Sequence, residues 1–206
     1  MSETKVIGID LGATNIRAGL VHEGNIHTIQ SKRIKSAGTV EEVLADFYLL
    51  IDTLLDNEVV AIGIGVPSVV DLAKGIVYDV QHIPSWKEVP LKEILEKKYK
   101  LPVYVNNDAN CFALGEFHFG KGRGKSDMIG LSIGTGLGGG AIVNKHLFAG
   151  SNCGAGEFGM VDYLDHNYEY YASGQYFSHI YNLKGEEVFE RAKAGDKQAQ
   201  QYYAEM

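Results

Sequence analysis

Four polar side chains crowd into the stretch "VYVNNDAN", residues 103–110: Asn106, Asn107, Asp108 and Asn110. Asn both donates to and accepts from hydroxyl groups, and a carboxylate beside a hydroxyl can take its proton as a phosphoryl group moves onto the oxygen. The apolar residues before them predict a strand, and the carboxyl end of a buried strand is where open α/β sheets bind ligands. Capping the helix that follows needs only one such side chain. The cluster therefore marks a site.

A second chemistry lies in two Gly-rich turns. "IGIDLGATNIRAGLV" (7–21) and "IGLSIGTGLGGGAIV" (129–143) align without a gap, sharing Ile7/Ile129, Gly8/Gly130, Gly12/Gly134 and Val21/Val143. Backbone N–H groups bared by glycine form a concavity for anionic oxygen, so two facing copies would hold one polyphosphate from both sides. Asp10 stands in the first copy where Ser132 stands in the second. A nucleoside triphosphate brings one divalent cation, which needs a carboxylate on one side only. "GTGLGG" also has the form G-x-G-x-x-G, but a dinucleotide fingerprint opens a helix, and the residues after this one read as a strand.

The elements that position these groups follow from period and punctuation. "KVIGIDLG", "NIRAGLVH" and "IHTIQSKRI" predict a three-stranded meander. Residues 40–55 carry apolar side chains at helical spacing, and Thr39 with Glu42 forms a capping box. "VVAIGIGVP" is a continuous apolar run, as in a strand buried on both faces. "VPLKEILEKKY" predicts a helix, "LPVYVNND" a strand and "ANCFALGEFHFG" a helix entered directly from it. The turn "KGRGK" (121–125) then leads into the second Gly-rich hairpin, so we place a boundary near residue 120. The tail predicts two helices punctuated by Gly195 and capped by Asp196.

Composition narrows the partners. A formal net charge of -7 argues against nucleic acid, whose phosphates are bound by clustered Lys and Arg. No apolar run is long enough to cross a bilayer and "MSETK" lacks the order of a secretion signal, so no membrane partner and a cytoplasmic location are expected. Cys111 and Cys153 are too few for a disulfide scaffold and are expected as reduced thiols.

Together with "GIGVPSVVD", "IPSWKEVPL" and "GAGEFG", the motifs above resemble the ROK sugar kinases and repressors, within the actin-like ATPase superfamily. The resemblance implies an α/β, two-lobed ribonuclease H-like (actin-like ATPase) fold, divided here into residues 1–120 and 121–206, with the second lobe incomplete. It implies ATP and Mg²⁺ as cofactors, with ATP and a small-molecule sugar in the cleft between the lobes, and a homodimer as the common assembly. By position, Asp10 resembles the magnesium-associated acid; Gly12, Thr14 and Asn15 belong to the first phosphate turn, and Thr135, Gly136 and Gly138 to the second. Asp108 matches the base that deprotonates the sugar 6-hydroxyl, and Asn107 a sugar-binding residue beside it. Glu157 and Glu169 match acids that bind sugar hydroxyls.

The departures from the family pattern matter too. Met160 stands where the family has a His, and the three zinc cysteines that should follow are missing from "VDYLDHNYEYYASG". His166 alone cannot supply the four ligands a structural zinc requires, so no zinc site is expected. Tyr168, Tyr170 and Tyr171 would then order this segment by packing, or form a helix face in the core. Ser68 replaces a family Gly. Family members also continue into a further Gly-rich segment that holds adenosine. The expected activity is transfer of the γ-phosphoryl of Mg·ATP to a hexose 6-hydroxyl, glucose first among candidates. The alternatives are a sugar sensor without catalysis, which in repressors carries an N-terminal helix-turn-helix, and a structural ATPase.

Overall fold

The computed structural model describes residues 4–151 and 153–206. Three strands, β1 (Lys5–Leu11), β2 (Asn15–His22) and β3 (Asn25–Arg33), form the predicted antiparallel meander. Helix α1 (Val40–Leu54) begins at the expected capping box: Thr39 Oγ1 accepts from Glu42 N, and the Glu42 carboxylate accepts from Thr39 N. Its apolar stripe, including Val43, Phe47, Leu50 and Ile51, packs against β2 and β3.

Strand β4 (Val59–Val66) pairs parallel with β1. Three short strands follow, β5 (Val69–Asp71), β6 (Ile76–Tyr78) and β7 (Glu88–Val89), joined in a small sheet of their own. Helix α2 (Leu91–Tyr99) then leads to β8 (Val103–Asn107), which completes a five-stranded sheet in the order β3-β2-β1-β4-β8. Its core lies on the α1/α2 side, where Trp86 stacks on Phe47 at a centroid distance of 5.6 Å.

The apolar run of β4 predicts burial on both faces, and the structure corrects this. Ile62, Ile64 and Val66 face the core, whereas Gly63 and Gly65 alternate onto the other face and supply no side chain to bury. That face opens into a groove rimmed by Ile26, Ile29, Tyr104, Phe112 and Phe119.

Helix α3 (Asp108–His118) starts where β8 stops and packs on a second sheet, made of β9 (Met128–Ile133), β10 (Leu137–Val143) and β11 (His146–Phe148). The close approach explains the glycine run: a Cβ on Gly140 would stand 2.6 Å from Ala113 Cβ, and one on Gly138 3.0 Å from Ala109 Cβ. A single 3-10 turn (Phe158–Met160) precedes the short hairpin of β12 (Asp162–Tyr163) and β13 (His166–Asn167). Helices α4 (Tyr168–Ala172), α5 (Gln175–Tyr181), α6 (Gly185–Lys193) and α7 (Lys197–Glu205) end the chain. Asp196 caps α7 as expected, accepting from Gln198 N and Ala199 N. Around α5 to α7 a small second cluster buries Tyr176, Phe177, Val188 and Ala199. Among the described residues no helix is long and apolar enough to cross a membrane.

Candidate functional site

The β8–α3 junction divides the work among its four polar residues. Asn107 is the N-cap of α3: its Oδ1 accepts from Ala109 N at 2.9 Å and Asn110 N at 3.2 Å, while its Nδ2 donates to Ser68 O at 3.4 Å. Asn106 and Asn110 bond each other and Cys153, with Asn110 Nδ2 3.3 Å from both Asn106 Oδ1 and Cys153 Sγ. Three of the four thus have scaffold duties. Asp108, the first helical residue, is half-buried over Gly65, on which a Cβ would stand 3.4 Å from Asp108 Cα, and its carboxylate accepts only from the adjacent Ala109 N.

Cross-strand register brings Asp10 to the same place. Arg17, Asp10, Gly65 and Asn106 lie opposite one another on β2, β1, β4 and β8. No side chain on Gly65 separates Asp10 from Asp108. Burial pushes the Asp108 carboxyl above the usual carboxylate range, the Asp10 charge pushes the same way, and a hydrogen bond from Ala109 N partly opposes them. Asp10 meets Arg17 Nη1 at only 3.8 Å and its side chain is 57% exposed, so a carboxylate oxygen is available to a divalent ion or its water. Arg17 was missed in the sequence, although the hairpin register places it opposite Asp10.

The two Gly-rich turns differ by one residue, which corrects the ungapped alignment. Leu11 pairs with Ile16 across a four-residue turn, 12–15; Ile133 pairs with Leu137 across three residues, 134–136. Leu137, not Gly138, therefore stands where Ile16 does. A one-residue slip reverses the faces of a return strand, but Gly138, Gly139 and Gly140 have no side chains to misplace. Gly12 and Gly134 begin the two turns, Thr14, Asn15, Thr135 and Gly136 lie within them, and Gly138 sits in β10 beneath α3. Among the described residues the N–H groups of Ala13, Thr14, Thr135 and Gly136 bond no protein acceptor. Four free donors on two turns fit the anionic oxygens of a polyphosphate.

Two more acids flank this space. Glu157 precedes the 3-10 turn, where Gly156, at φ +115°, lies so close to β10 that a Cβ would approach Gly139 O to 2.5 Å. Burial raises the Glu157 carboxyl above its ordinary range, and the charges of Asp108 and Glu169 add to it. The structure thus gathers Asp10, Asp108, Glu157 and Glu169 into one electrostatic neighbourhood. Glu169 also does something sequence reasoning missed: its Oε2 accepts from Leu137 N at 2.9 Å.

Where the family has its His, Met160 is 59% exposed and its Sδ lies 3.9 Å from Asn167 Nδ2. None of the α4 residues is fully buried, but Tyr171 packs partly buried against the Tyr176–Phe177 cluster, so one of the three tyrosines does reach a core. Tyr168 and Tyr170 build a surface stack: His166 on Tyr170 at 3.9 Å, Tyr170 on His179 at 4.5 Å and Tyr163 on Tyr168 at 4.7 Å. Ser68, the other departure, has its hydroxyl tied to Tyr78 O within the β5–β6 hairpin.

Residues 6–206 match the ROK family. The chain is 39% identical over 157 residues to a glucokinase of Streptomyces coelicolor, covering 75% of this chain and 49% of that protein. It is 37% identical over 161 residues to a xylose repressor of Caldicellulosiruptor bescii, covering 75% of this chain and 40% of that one. The chain thus spans about half or less of the length of these relatives. Among solved structures, a ROK family glucokinase from Streptomyces griseus in complex with glucose and AMPPNP superposes with a TM-score of 0.82 at 30% identity, covering 98% of this chain and 75% of that one. The α/β fold is the actin-like ATPase fold of these kinases.

Proposed function

The chain belongs to the ROK family, and from that premise we propose that it transfers the γ-phosphoryl of Mg·ATP to the 6-hydroxyl of glucose or a related hexose. The observation that carries this reading is Asp108, whose carboxylate is bonded only to the adjacent Ala109 N at 2.8 Å and lies near Asp10 with a glycine, Gly65, between them. Its raised proton affinity suits a general base better than an ordinary surface carboxylate would.

Asp108 orients the sugar hydroxyl and accepts its proton. Asn107 has a second amide hydrogen for a neighbouring hydroxyl, and Glu157 and Glu169 accept from others. The free amides of the two turns hold the phosphates, and Asp10 holds Mg²⁺ or its water. The bound metal supplies charge neutralisation on the phosphoryl oxygens. Most of the acceleration then comes from alignment and electrostatics, as phosphoryl transfer leaves little covalent work for a protein. Residues 1–120 and 121–206 act as the two lobes of this reading, meeting along α3, and their closure on sugar excludes water that would otherwise hydrolyse ATP.

The test is coupled ADP release with Mg·ATP across a panel of hexoses, with Asp108→Asn run alongside. Sugar-dependent turnover that disappears in the variant while sugar affinity persists supports the kinase; loss of both together argues against the base. The xylose repressor relationship favours a second reading, sugar sensing without catalysis. Sugar binding with no turnover would select it.

A further inference from the structure

We infer that Glu169 is a positioning residue for the second phosphate turn and couples occupancy of the sugar site to the shape of that turn. The inference rests on the kinase reading for the identity of the two ligands, and on geometry for the rest.

Glu169 uses its two carboxylate oxygens differently. Oε2 accepts from Leu137 N, the first amide after the turn, at 2.9 Å, and it covers Gly136 so closely that a Cβ there would stand 2.7 Å away. Oε1 has only a long contact, 3.5 Å from Gln175 Nε2. Further contacts fasten the turn on the same side. Gly174 N donates to Gly134 O at 2.7 Å, and Gly159 is packed so tightly that a Cβ would meet Leu137 O at 2.3 Å. The segment that carries the sugar acids is therefore also the outer wall of the second turn.

The second turn also has a bond of its own, Gly134 N to Gly136 O at 2.9 Å, as the first does, but the first takes its outside contact from the meander and not from the segment with the sugar acids. Gly12 N donates to Asn15 O within the turn at 2.9 Å, and Ile34 N to Thr14 O at 3.0 Å.

An anionic carboxylate against a turn that takes phosphate opposes the second ligand electrostatically. A sugar hydroxyl donating to Oε1 disperses that charge and fixes the carboxylate, while Oε2 keeps Leu137 in place and leaves the Thr135 and Gly136 amides free. Sugar binding thereby eases nucleotide binding, and by linkage the reverse holds.

The test titrates the chain with glucose and with Mg·AMPPNP, singly and together, and follows hydrogen exchange at the Leu137 amide without ligand. In the unmodified chain glucose should tighten the nucleotide analogue by about fivefold or more. Glu169→Ala should abolish that coupling and speed Leu137 exchange on the order of tenfold. Glu169→Gln keeps an acceptor for Leu137 without the charge, so exchange stays slow while sugar-free affinity for the analogue rises. Glu157→Gln should weaken glucose and leave Leu137 exchange alone. A Glu169→Ala chain with weakened glucose binding but normal Leu137 exchange and intact coupling makes Glu169 a plain sugar ligand and overturns the inference. If the unmodified chain binds neither ligand, the kinase reading and the coupling both fail, while the exchange rates still decide the positioning role.

Discussion

Ile7 and Ile129 occupy matching places in two hairpins of similar sequence, yet Ile7 is 0% exposed and Ile129 60%. β1 is paired on both sides, by β2 and β4, and its Ile7, Ile9 and Leu11 lie in the main core; β9 is an edge strand paired with β10 alone. The turns differ in the same sense. Each turn has one bond within itself, Gly12 N to Asn15 O and Gly134 N to Gly136 O, but the first is fastened from outside by Ile34 at the end of the same meander, and the second by Glu169 and Gly174 from a segment at least 32 residues later. Repetition of a local pattern thus specifies a hairpin but not its surroundings, and here the surroundings assign the jobs.

The largest test of this contrast is mechanical. Ile7→Ala should cost about 2–5 kcal/mol of stability in chemical denaturation, whereas Ile129→Ala should stay within about 0.5 kcal/mol; equal losses would mean that β9 is covered in solution. Next comes the chemical asymmetry. Asp10→Asn should lower kcat/KM on the order of a hundredfold, with Ser132→Ala within about twofold, read as sugar-dependent ADP release across Mg²⁺ concentrations. Similar losses from both would place the metal between the turns rather than on the first.

The smallest effect is electrostatic. The folded-state proton affinity of Asp108 is raised, so its contribution to stability is present at acid pH and lost as pH rises through its folded pKa. At neutral pH the fold bears the cost of a partly buried charge, with the nearby Asp10 charge adding to it. Asp108→Asn should therefore raise Tm at pH 7 by ~1–3 °C, and the gain should vanish as the pH falls into the ordinary carboxylate range. A variant that melts lower at both pH values would show that the contact with Ala109 N outweighs the cost of burying the carboxylate near Asp10.

Much of this was legible because it is local. The meander, the capping box at Thr39, the direct passage from β8 into α3 and the cap at Asp196 each depend on residues within a few positions. Asp10 and Asp108 stood out in the sequence, the first because Ser132 holds its place in the second hairpin and the second because it lies in a run of polar residues at a strand end. The one-residue difference between the turns did not, because a glycine run carries no side-chain alternation to mark register. β5 to β7 are too short to show a period. The open face of β4 did have a signal, the alternation of Gly63 and Gly65 within the apolar run. Glu169 had none for its bond to Leu137, since that contact spans 32 residues of chain.

That separation has a consequence in time. A chain made from its N-terminus can close the first turn once Ile34 has been added, with helices still to come. The second can form its Gly134–Gly136 bond locally, but its outer fastening must wait for Glu169, 32 residues after Leu137, which at roughly 5–20 residues per second is a delay of about 2–6 s. Until then a nascent chain has one of its two Gly-rich turns fully fastened, and the residue that ends the wait is itself one of the acids proposed to recognise sugar.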